Sequence, residues 1–190
     1  MKRLLLAIMG LLAAFHISPW LNAQQFQDLK DQPAPRLENG IRAGARLPNP
    51  DQLKGKVVLV FFWAHWCTEC KAQSPVLERL VEKYRSQGLV IVGPTRRYGF
   101  VDEGRPASPD KELQYIVRVR DSFYPVLRQA PTPIGDANHK RYKVDAVPAV
   151  VLIDRVGIIR FQHVGSMTEE ALDSALQPLF SETSTPAKER

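Results

Sequence analysis

The stretch 56–63, "KVVLVFFW", is apolar and β-rich after its lysine, and 89–92, "LVIV", is apolar throughout. Such unbroken runs predict strands buried on both faces of a sheet, because a strand with one wet face alternates instead. Between them, residues 71–85 place Val76, Leu77, Leu80, Val81 and Tyr84 on one face at helical spacing, and Gly88 is suited to end that helix. Strand, helix and strand in this order predict a βαβ unit with a parallel strand pair. Residues 94–109 are rich in Pro and Gly and read as a long loop, of the kind that often carries function. Asp110 is expected to cap a helix ending near residue 123. Residues 124–127 read as a short strand, "RQAPTPIGD" as a connection and 137–142 as a short helix. Then "AVVLID" at 149–154, a turn at Arg155-Val156-Gly157 and the run 158–164 form a β-hairpin. Ser166 and Glu169 fit a capping box opening a last helix to about residue 180. The fold class is α/β, a central mixed β-sheet flanked by helices.

The first 23 residues fall outside this pattern. Lys2 and Arg3 precede an apolar stretch at 4–17, and Leu21-Asn22-Ala23 offers a cleavage site before Gln24. That is the layout of a secretory signal peptide. An uncleaved N-terminal membrane anchor is the alternative, although the stretch is shorter than the roughly 20 residues a spanning helix needs. Residues 24–50 are a polar lead-in, extended with at most a short strand or hairpin. Residues 51–180 are the folded domain, and 181–190 a flexible polar tail. The expected location is outside the cytoplasm, periplasmic or extracytoplasmic, soluble or anchored.

The formal charge of +6 falls to +4 when Lys2 and Arg3 are removed, since no acid lies before Gln24. No basic block with interleaved aromatics exists, which argues against nucleic acid as a partner.

The chain has two cysteines, Cys67 and Cys70, in "FFWAHWCTECK". A disulfide scaffold usually carries four or more, and a structural bridge closing so small a loop restrains the unfolded chain little. Export would put the pair in an oxidising compartment. Cys67 sits where a strand ends and a helix begins, so free N–H groups and the helix dipole favour a thiolate there. Cys70 follows one turn later and is expected to be more buried. This asymmetry suits disulfide exchange, with Cys67 forming a mixed disulfide and Cys70 resolving it. In "AVPAVVLID", Pro148 stands directly before a buried strand. A cis peptide bond there would turn the backbone of Val147 toward the cysteines and let it pair with an extended substrate segment.

These motifs resemble the thioredoxin superfamily, and within it the exported TlpA/ResA-like thiol–disulfide oxidoreductases. The matching residues are "VVLVFFWAHW", the Trp66-Cys67-x-x-Cys70-Lys71 core, Pro75, and "YKVDAVPAVVLIDRVG". The resemblance implies a thioredoxin-like fold over roughly residues 50–180 and Cys67 and Cys70 as the catalytic pair. It also implies a substrate-binding and supporting role for Trp66, Val147 and cis-Pro148. It implies protein disulfides as substrates, a membrane thiol–disulfide electron donor as partner, and no organic cofactor or metal.

Three positions depart from the family. Phe61 stands where thioredoxins carry a buried Asp, Gln73 where this branch often has Glu, and Thr68-Glu69 lie between the cysteines. Both usual proton acceptors are absent, and Glu69 is the candidate replacement. Glu69 is also an anion beside the thiols, so it disfavours the thiolate and makes the dithiol a better reductant. His65 opposes this only if it is charged and close; a solvated bystander is the simpler expectation. Val147 before the proline resembles oxidising superfamily members. Arg96 and Arg97 read as exposed loop residues. The balance favours a reductase. The alternatives are a disulfide oxidase of similar fold, a peroxiredoxin-type peroxidase and a thiol-based copper module. The peroxidase needs a Thr three residues before its reactive cysteine, where Ala64 stands. His65, His139 and His163 form no short-spaced ligand pair for structural zinc.

Overall fold

The computed structural model describes residues 29–181; the expected signal segment and the tail beyond Ser181 lie outside them. The elements in order are β1 (Ile41–Gly44), α1 (Pro50–Leu53), β2 (Val57–Phe62), α2 (Thr68–Tyr84), β3 (Leu89–Val92), β4 (Phe100–Val101) and β5 (Arg105–Pro106). They continue with α3 (Pro109–Phe123), β6 (Pro131–Ile134), α4 (Asp136–Arg141), β7 (Ala149–Ile153), β8 (Ile159–Val164) and α5 (Glu169–Ser181).

The central strand is β2, and every one of its side chains is buried. Successive side chains point to opposite faces, so β2 feeds two cores. Val57, Leu59, Phe61 and the following Trp63 pack with Leu77 and Leu80 of α2, Ile116 of α3 and Leu172 and Leu176 of α5. Val58, Val60 and Phe62 pack on the other face with Tyr142, Val144, Val151 and Ile153. This double burial explains why β2 reads as an unbroken apolar run. The main sheet has the order β3-β2-β7-β8, with β3 parallel to β2 and the β7–β8 hairpin antiparallel. The expected βαβ unit and hairpin are therefore present.

Other expectations are corrected. Residues 124–127 are not a strand; Pro125–Leu127 form a 3₁₀ turn. The strand lies further on, as β6, inside the stretch that reads as a connection. Pro131 and Pro133 have no N–H to donate, but their carbonyls accept from Gly93 (2.9 Å) and Thr95 (3.1 Å) beyond the end of β3. β1 from the lead-in pairs antiparallel with β6, Ile41 opposite Ile134. The 94–109 loop contains the β4–β5 hairpin. The cap of α3 is Ser108, whose Oγ accepts from the Lys111 N–H, while Asp110 sits within the first turn, where its charge suits the helix dipole. α5 is capped by Thr168 rather than Ser166: the Thr168 Oγ1 accepts from the Ala171 N–H at 3.2 Å. α2 begins at Thr68, earlier than residue 71, because Cys67 itself is its N-cap.

Candidate active site

The turn leaving β2 is fixed before the cysteines are reached. The Trp63 indole donates to the Gly93 carbonyl at 3.0 Å, and Thr95 Oγ1 donates to the Trp63 carbonyl at 2.6 Å. The Cys67 N–H then closes back on the Ala64 carbonyl at 3.1 Å. Cys67 has extended backbone at the helix N-cap, and its Sγ accepts the Cys70 N–H at 3.0 Å. The two sulfurs form a disulfide of 2.00 Å with the Cα atoms 5.2 Å apart. Cys67 keeps 4% exposure, Cys70 none, and the adjacent Trp66 is 46% exposed. Cys70 is the more buried of the two, as expected, and the pair lies next to an exposed aromatic ring.

The Val147–Pro148 bond is cis. Register places it: Phe62 of β2 pairs with Ala149 of β7, so Pro148 lies level with the residue after Phe62, at the edge where the cysteine turn leaves the sheet. The Pro148 carbonyl accepts from the Gly165 N–H at 2.8 Å. Two residues on, the Met167 N–H donates to Oε1 of Gln73 at 2.7 Å. Gln73 is 2% exposed. It ties the β8–α5 turn, and through Gly165 the cis-proline, to the helix that carries both cysteines. Phe61 is fully buried and packs its ring 6.4 Å from that of Tyr124. Neither position offers a carboxylate; one fills the core and the other tethers a loop.

His65 is not solvated. It is fully buried, and its Nε2 lies 3.3 Å from Oε1 of Glu112, itself 1% exposed. The ring meets Tyr98, Phe100 and Tyr115 edge-on at centroid separations of 5.7, 5.3 and 5.4 Å. Burial pushes the His65 pKa down, with Lys71 adding to the push and Glu112 opposing it in part. The imidazole is therefore neutral at pH 7, and Nε2–H donates to Glu112. The same carboxylate accepts the N–H groups of Tyr98 and, at 2.9 Å, Gly99. Three donors compensate a carboxylate taken out of water. Glu112 thus fastens the segment before β4 to the active-site turn.

Sequence reading missed Glu112 and Tyr98. A signal existed: Glu112 stands four before Ile116 and seven before Val119, on the buried face of α3. An acid at an apolar helical position asks for a partner, but the partner, 47 residues earlier, is not readable from spacing. Glu69, by contrast, is exposed in the first turn of α2. Arg97 is exposed as expected; Arg96 lies 3.7 Å from Asp136 and 5.3 Å over the Tyr98 ring. Lys71 sits 4.6 Å from the ring centre of the exposed Phe123. Among the described residues no group of three or more His, Cys, Asp or Glu is placed to hold a metal ion, and no helix is long and apolar enough to cross a membrane.

A mixed sheet flanked by helices, a Cys-x-x-Cys disulfide at a helix N-cap and a cis-proline at the same sheet edge define a class, the thioredoxin-like proteins with a paired-cysteine site. Residues 31–162 match the AhpC/TSA family, and the chain belongs to that family. It is 31% identical to the thiol-disulfide oxidoreductase ResA of Bacillus cereus over 67% of this chain and 65% of that one. It is 27% identical to the thiol:disulfide interchange protein DsbE of Pseudomonas aeruginosa, over 86% of this chain and 82% of that one. The chain therefore spans slightly less than two thirds of the ResA it matches. A thiol-disulfide isomerase from Corynebacterium glutamicum shares the fold, with a TM-score of 0.62 at 21% identity, covering 79% of this chain and 98% of that one.

Proposed function

We propose that the protein is a disulfide reductase acting on exported polypeptides. One observation carries the direction: His65, two residues before Cys67 and able to oppose Glu69 only if charged, is fully buried, and burial pushes its pKa down. A charged imidazole would hold a thiolate and make the pair oxidising. A neutral one leaves the anionic Glu69, in the first turn of α2, to disfavour the thiolate. A dithiol whose thiolate is less favoured gives up its electrons more readily.

The reaction starts from the reduced pair. The Cys67 thiolate attacks one sulfur of a substrate disulfide; a Cys67–substrate bond forms, and the other substrate sulfur leaves as a thiolate and takes a proton. Cys70 then loses its proton and attacks the Cys67 sulfur, releasing the second substrate thiolate. Two electrons pass to the substrate, and the Cys67–Cys70 disulfide remains. With Phe61 and Gln73 unable to accept a proton, that of Cys70 passes to solvent, with the exposed Glu69, its neighbour in the chain, as the candidate relay. Val147 and Pro148 offer backbone to an extended substrate segment, and Trp66 an apolar contact. A membrane dithiol donor outside this chain returns the electrons. The N-terminal segment supports export, with cleavage favoured over retention as an anchor.

The test is turnover. Reduced protein, fed by dithiothreitol, is expected to reduce the interchain disulfides of insulin faster than dithiothreitol alone, and to consume no hydrogen peroxide. Absence of insulin reduction would sink the reading; peroxide consumption would favour the peroxidase.

A further inference from the structure

The cysteine turn and the 94–109 insertion are joined at one place. Glu112 of α3 holds His65 on one side and the N–H groups of Tyr98 and Gly99 on the other. The consequence lies at the surface. Held there, the Tyr98 ring stands edge-on to the exposed Trp66 at 5.3 Å, and the Arg96 guanidinium lies 5.3 Å from the Tyr98 ring centre. Trp66 directly precedes Cys67 in the chain. Tyr98 is half-buried, supported underneath by His65 and alongside by Phe100 at 6.2 Å.

We infer that Tyr98 and Glu112 are specificity determinants of the disulfide-exchange reaction: Glu112 positions Tyr98 so that it and Trp66 form a fixed aromatic ledge beside Cys67. The ledge takes an aromatic side chain adjacent to the attacked cysteine of an unfolded polypeptide. This rests on the reductase reading above. The chemistry is that of aromatic packing, in which a ring edge meets a ring face and both leave water. The ledge is rigid because a buried carboxylate with three donors has one arrangement that satisfies all of them. A loop held only by exposed contacts would have to be ordered at binding, at an entropic cost. Glu112 touches neither sulfur nor substrate and acts as a positioning residue.

The test uses disulfide-linked homodimers of one short peptide carrying either Phe or Ser before its single cysteine. The full-length protein is expected to prefer the Phe peptide by about fivefold in kcat/KM, the size of one aromatic pair. Tyr98→Ala and Glu112→Gln are each expected to bring that ratio below about twofold by the same argument. The ratio is read within one preparation, so partial unfolding of a variant cancels, and Tyr98→Ala leaves the buried carboxylate and its imidazole in place. A wild type without preference, or variants that keep it, would overturn the inference and leave the reductase reading standing. A wild type that reduces neither peptide would overturn the reductase reading and this inference with it.

Discussion

Replacing Cys70 by alanine is expected to stop turnover at the mixed disulfide. Cys67 caps α2 and is the cysteine with residual exposure, whereas Cys70 is fully buried within the helix. A substrate disulfide can therefore reach Cys67, and the resolving attack must come from inside. That attack is intramolecular. Its loss leaves only an external thiol at millimolar concentration, so turnover should fall on the order of a thousandfold or more. The Cys70→Ala protein should accumulate a covalent conjugate with its substrate, visible as an intact mass equal to protein plus substrate chain. Cys67→Ala should form none. Conjugates from Cys67→Ala alone would exchange the roles of the two cysteines, and conjugates from neither variant would remove the exchange mechanism altogether.

The second large effect is on stability in acid. His139 of α4 is 2% exposed and lies edge-on to Phe62 at 5.0 Å. Burial pushes its pKa down from 6.5 to about 4; the charge of Arg96 adds to this, and that of Asp136 opposes it. His65 is pushed down by burial as well. For such a group the unfolded chain binds the proton more readily than the folded one. The stabilising contribution is complete above the unfolded pKa and is lost as pH falls from about 6.5 toward the folded value. For His139 the loss by pH 4 is about 3 kcal/mol, since each pH unit between the unfolded and folded pKa is worth about 1.36 kcal/mol. That is a large share of the about 5–15 kcal/mol typical of a domain. Urea unfolding at pH 7 and pH 4 should show it, and His139→Leu should flatten the difference by most of that amount. Equal slopes for the two proteins would show that His139 is not held neutral.

These two histidines also show where sequence reading ends. β2, α2 and Pro148 were legible because each carries its own signal: an unbroken apolar run, a spacing of three and four, a proline before a strand. β6 was not, because "PTPI" contains two prolines, which ordinarily argue against a strand; it survives because its carbonyls, not its missing N–H groups, face Gly93 and Thr95. Tyr124 lies in an aromatic, β-branched stretch that suggested a strand, yet Pro125 opens a 3₁₀ turn there. The caps Ser108 and Thr168 each lie two residues from the expected Asp110 and Ser166, because several neighbouring side chains can serve as a cap and packing selects one. His65 looked like a surface residue because histidine usually has some exposure; its burial depends on Glu112, Tyr98, Phe100 and Tyr115, all brought in from a distant part of the chain. The cysteine pair was readable, and the side chains that set its surroundings were not.

The direction of electron flow rests on the Cys67–Cys70 pair being a stronger reductant than the substrates it meets. Its reduction potential, obtained by equilibrating the protein in graded dithiothreitol or glutathione buffers and following Trp66 fluorescence or thiol labelling, should lie at or below about −250 mV, near that of thioredoxin. A value near about −120 mV, as in a strong thiol oxidant, would contradict it and make the protein a donor of disulfides.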